Sequence, residues 1–134
     1  MTSLAQSEEN PQTERFHIVG IGASAGGLEA FLELLRALPS GTGMAFVVVQ
    51  HLEPHTESQL AAILSKATDM PVVQAAEGQS VEPNRVYVIP PNTVMLIENR
   101  VLHLGPRPDS GTPHYQIDRF FDSLAADQGA DALA

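Results

Sequence analysis

The run Met44-Ala45-Phe46-Val47-Val48-Val49 does most to limit how this chain can fold. It is apolar throughout, with no polar residue at alternate positions. A half-exposed strand would alternate. A strand without a polar side must be covered on both faces, as in a parallel sheet packed between helices. The flanking segments agree. Phe16 to Gly22 is a shorter apolar run ending in glycines and reads as an earlier buried strand. Leu28, Phe31, Leu32, Leu35 and Leu38 then recur at helical spacing, with Glu29 and Glu33 in the early turns, and Pro39-Ser40-Gly41 ends that helix. After Gln50-His51, Thr56 and Gln59 make a capping box for a second helix carrying Leu60, Ile63, Leu64 and Ala67. Pro71 to Ala75 reads as a third strand. Strand, helix, strand, helix, strand is the order of right-handed βαβ units.

The pattern then changes. Arg85–Pro90, Thr93–Ile97 and Val101–Leu104 read as short strands joined by tight turns, a small antiparallel excursion. Gly105 to Pro113, with three prolines and two glycines, reads as a loop. Ile117, Phe120, Phe121 and Leu124 define a last amphipathic helix ending near Gly129. No strand is expected after it, although a doubly wound sheet calls for one. The expected fold class is therefore α/β, a doubly wound, Rossmann-like parallel sheet with helices on both faces, a small antiparallel hairpin and a missing C-terminal part. Residues 1–14 are polar and read as a flexible tail before a single domain at 15–134.

Composition removes several functions. A net charge of −9 over 134 residues leaves too little positive charge for nucleic acid or an anionic membrane surface. No cysteine is present, which excludes disulfides, thiolate metal sites and cysteine nucleophiles. No apolar run approaches the roughly 20 residues that span a bilayer. The N-terminus lacks the basic start and apolar stretch of a signal peptide, so a cytoplasmic location is expected.

Gly22-Ala23-Ser24-Ala25-Gly26 matches G-x-S-x-G between a strand and a helix, the context of a nucleophile elbow. The helix N-terminus beyond offers free N–H groups to a developing oxyanion. The bland reading is a tight turn with a capping serine. The segment also reads as a dinucleotide loop, Gly20-x-Gly22-x-x-x-Gly26, one residue off the usual spacing and without an acidic residue at the second strand's end. A Walker A loop is excluded, since the only lysine is Lys66.

His51 follows the buried run and would share the carboxyl edge with Ser24, where open α/β sheets place their sites. A neutral imidazole there can serve as general base to the hydroxyl. The alternative is an ordinary loop histidine. His51 and His55 are four apart, but Pro54 lies between them and no carboxylate completes a zinc pattern. His17, His103 and His114 read as structural or solvated.

These segments resemble the catalytic domain of the chemotaxis protein-glutamate methylesterases, the CheB family. The resemblance is carried by Ile18-Val-Gly-Ile-Gly-Ala-Ser-Ala-Gly-Gly-Leu28, Val47-Val-Val-Gln-His-Leu52 and Val86-Tyr-Val-Ile-Pro-Pro91, and more weakly by Ile117 to Leu124. It implies a serine hydrolase acting on glutamate methyl esters, and deamidating glutamines, on the cytoplasmic helices of chemoreceptors. It implies Ser24 as nucleophile and His51 as general base, with no metal or organic cofactor. A fused or separate methyltransferase is a further implied partner, because Ala-Ser-Ala-Gly-Gly looks like the versions joined to one. The family's aspartate sits in a Gly-x-Gly-x-Asp-Gly loop that this chain does not reach; Asp109, Asp118, Asp122, Asp127 and Asp131 do not match it. On this reading the fragment has weak or no activity, and self-associates through an exposed sheet edge. The competing readings are a non-catalytic interaction or regulatory module that keeps the fold, and a nucleotide-binding domain.

Overall fold

A computed structural model describes residues 16–24, 27–39, 41–51, 60–90, 93–106, 115–129 and 132–133. Strand β1 (Ile18–Ser24) leads to helix α1 (Gly27–Ala37), then β2 (Ala45–His51), α2 (Leu60–Ser65) and β3 (Val72–Gln74). Short strands β4 (Gln79–Ser80) and β5 (Val86–Val88) follow, then β6 (Thr93–Glu98) and β7 (Val101–Pro106). Helix α3 (Tyr115–Gln128) and β8 (Ala132–Leu133) complete the order. The main sheet is parallel, in the order β3-β5-β2-β1-β8, and a three-stranded antiparallel sheet has the order β4-β7-β6.

The unbroken apolar run behaves as its composition requires. Ala45 to Val49 are all buried, and their side chains divide between two cores. Phe46 and Val48 join Phe31, Leu32 and Leu35 of α1, Leu60 and Leu64 of α2, Met70, Val86 and Val88. Ala45, Val47 and Val49 join Ile18, Tyr87, Met95, Ile97, Leu102 and the α3 residues Ile117, Phe120 and Leu124. Helices α1 and α2 therefore cover one face. Helix α3 and the small sheet cover the other.

Two expectations need correction. Arg85–Pro90 does not join the antiparallel excursion: β5 pairs in parallel with both β2 and β3. All three of its residues are buried, the two-sided cover already seen in β2. The third strand of the small sheet is instead β4, a polar pair that pairs with β7. A strand also follows the last helix, since Ala132 and Leu133 pair in parallel with Ile18 and Val19. The proposed tail at 1–14, the Thr56–Gln59 capping box and most of the 105–113 loop lie outside the described residues.

Polar groups tie the layers together. Tyr87 is buried; its hydroxyl accepts from the Glu82 N–H (2.8 Å) and donates to the Ser80 carbonyl (3.3 Å). Burial raises its pKa. The two-residue turn between β6 and β7 has both Asn99 (φ 55°) and Arg100 (φ 62°) in the left-handed region, as a primed hairpin turn requires. Asp127 of α3 accepts both of their N–H groups. Ser123 accepts the Ile97 N–H (3.0 Å) and donates to the Phe120 carbonyl (2.8 Å).

Candidate active site

Strands β1 and β2 run side by side in unbroken parallel register. Seven pairs extend from Ile18↔Ala45 to Ser24↔His51. The last pair closes both strands at their carboxyl ends, on neighbouring backbones separated by about 4.8 Å. The two residues named from the sequence thus share one level and one edge of the sheet. Helix α1 begins three residues after Ser24, with Glu29 in its first turn and Arg36 in its last, both favourable to the helix dipole. Ala25, Gly26 and residues 52–59 lie outside the described residues, so the complete elbow turn and the His51–His55 pairing do too.

The glycines before Ser24 have a role the sequence did not reveal. A Cβ at Gly22 would lie 2.7 Å from Ile117 Cγ2 and 3.2 Å from the Phe121 ring. At Gly20 it would lie 2.7 Å from the same ring and 3.0 Å from Leu124. Both are closer than carbon atoms pack, so α3 sits nearer to β1 than any side chain would allow. These glycines are strand residues that admit a helix.

Other candidates fall away from this edge. His17 is exposed at the start of β1, the opposite end from Ser24. His103 lies on β7, where its Nδ1 is 3.1 Å from Glu77 Oε2, while Glu77 Oε1 accepts the Leu104 N–H at 2.6 Å. That backbone hydrogen bond, with the histidine second, lowers the Glu77 pKa. Sequence reasoning missed Glu77: its partners are 26 and 27 residues away and no local pattern marks it. A shallow cleft of about 260 Å³ opens along the hairpin between His103 and Arg119. His55 and His114 lie outside the described residues. Among the described residues, no group of three or more His, Asp or Glu could hold a metal ion, and no helix is long and apolar enough to cross a membrane.

Residues 19–134 match the family model described as CheB methylesterase. A protein-glutamate methylesterase/protein-glutamine glutaminase of Pseudomonas putida is 34% identical over 90% of this chain and 36% of its own length. One from Burkholderia orbicola is 35% identical over 98% of this chain and 39% of its own. A putative relative from Leptospira interrogans is 35% identical over 82% and 58% respectively. The chain thus spans between about a third and three-fifths of these relatives. The crystal structure of the Thermotoga maritima CheB methylesterase catalytic domain superposes with a TM-score of 0.74, at 24% identity, covering 89% of this chain and 65% of that one. It shares the fold described above, a parallel sheet covered on both faces. The match over nearly all the described residues places the chain in the CheB methylesterase family.

Proposed function

We propose that the chain carries the nucleophile and general base of a protein-glutamate methylesterase, with Ser24 and His51 in those roles. The observation that supports this most is the Ser24↔His51 register pair at the carboxyl ends of adjacent parallel strands. The relatives bear the name of that activity and of a glutamine glutaminase. In the proposed reaction Ser24 Oγ attacks the ester carbonyl carbon while His51 takes the hydroxyl proton. The tetrahedral intermediate collapses, the C–O bond to the methoxy group breaks, and His51 returns the proton to release methanol. Water, deprotonated by His51, then hydrolyses the acyl-enzyme to a glutamate side chain and free Ser24. A glutamine side chain follows the same course with ammonia as leaving group. Free N–H groups in the first turn of α1 offer stabilisation to the oxyanion.

The proposed substrates are methylated glutamates on chemoreceptor cytoplasmic helices, which places the work in the cytoplasm. A methyltransferase, fused or separate, is the reaction partner that must make those esters. Among the described residues β8 pairs only with Ile18 and Val19 of β1. Self-association through a sheet edge belongs to the same proposal. Methanol release from a methylated receptor fragment tests the assignment. Replacing either Ser24 or His51 by Ala should lower turnover by at least ~10³-fold. Undiminished turnover in Ser24→Ala would exclude the proposed nucleophile. Receptor binding without methanol release from the unmodified chain would instead favour a non-catalytic module.

A further inference from the structure

We propose that Ile117 and Phe121 of α3 are positioning residues for Ser24, acting through the two glycines of β1. The inference rests on Ser24 being the nucleophile.

Two residues before Ser24, the backbone of Gly22 is pressed so closely by Ile117 that a Cβ would come within 2.7 Å of its Cγ2. The Phe121 ring bears on both Gly20 and Gly22. Contact this close sets the separation of strand and helix at Gly20 and Gly22. Which of the two would yield to an added atom follows from their other attachments. Helix α3 is anchored to the small sheet: Ser123 accepts the Ile97 N–H, and Asp127 accepts the Asn99 and Arg100 N–H groups. Strand β1 stays paired with β2 through to Ser24. With the helix so anchored, a methyl group at position 22 must move the Ile117 and Phe121 side chains it meets and shifts the end of β1 with them. A displacement of an ångström there is enough to spoil a hydroxyl–imidazole pair, since proton transfer needs hydrogen-bond reach.

The absence of cysteine from the chain permits a test that does not depend on ester turnover. In Ser24→Cys the new thiol is the only one, and its alkylation by iodoacetamide across pH reports the surroundings of position 24. Beside an imidazolium it should titrate well below the ordinary ~8.5, and at pH 6 react at least ~10-fold faster than the same protein carrying His51→Ala. Adding Gly22→Ala should remove most of that advantage, and Ile117→Ala on top should restore much of it. Leu64→Ala, in the core on the other face, should lower the melting temperature and leave the thiol profile unchanged. Should Gly22→Ala fail to fold, Phe121→Leu replaces it, with the same loss of pH 6 reactivity expected. Folded Gly22→Ala or Phe121→Leu with the parent's thiol profile would overturn the positioning role and leave Ser24 and His51 standing. An ordinary parent profile that is indifferent to His51→Ala would remove the catalytic reading, and the positioning role with it.

Discussion

On the α1–α2 side of the parallel sheet, side chains from strand and helix meet halfway. Phe46, Val48 and Val88 pack against Phe31, Leu35, Leu60 and Leu64. On the α3 side, β1 contributes no side chain at Gly20 or Gly22, and Ile117, Phe121 and Leu124 press on its backbone. The first arrangement has two sets of movable rotamers and can readjust. The second has a movable surface on one side only, and polar anchors fix that surface in place. The rigid arrangement lies under the strand that ends at Ser24, the proposed nucleophile, which a less adjustable layer would hold in place.

The largest effect should come from removing volume on the adjustable side. Leu64→Ala should cost about 2–5 kcal/mol in chemical denaturation, while Leu64→Met, which conserves volume, should cost less than about 1.5. On the α3 side, adding one methyl should be enough: Gly20→Ala should cost about 1–3 kcal/mol, partly recovered when combined with Phe121→Leu. A neutral Gly20→Ala would break the contrast. Next comes the anchor. Ser123→Ala leaves the Ile97 N–H without its acceptor and should cost about 1–2 kcal/mol.

The smallest effect concerns Glu77. Its carboxyl is held below the ordinary carboxylate range, so its ionised form stabilises the fold at neutral pH. That contribution is lost as pH falls from about 4.5 through the lower folded value. Both partners are exposed, and the effect is correspondingly small. Denaturation midpoints measured at pH 7 and pH 3 should therefore differ slightly less in Glu77→Gln than in the parent.

Much of the positional framework is visible in residue order. Apolar runs and helical spacing locate β1, α1, β2, α2, β3 and α3, because each buries a continuous stripe or run. The same logic should have placed Val86-Tyr87-Val88 in the parallel sheet. Its lack of alternation matches Val47–Val49, but two genuinely antiparallel strands follow it and drew it into their group. Gln79–Ser80 and Ala132–Leu133 are too short to show any period. Ser24 and His51 could be named because each closes an apolar run, and the register pair agrees with that placement. The function of Gly20 and Gly22 could not be read, because glycine marks a turn and a close approach alike. Only the helix some hundred positions away distinguishes them.

The hairpin between β6 and β7 depends on help from a distance. Asn99 and Arg100 both hold a backbone twist that side-chain-bearing residues resist, at a cost on the order of 1–2 kcal/mol each. The Asp127 carboxylate that offsets this lies 27 and 28 positions later. Arg100 also rests over the Phe16 ring, 4.6 Å from its centre. The tight bend should therefore mature late during refolding, after the terminal helix has docked. An Asn-Gly replacement there should let the ribbon form early and on its own.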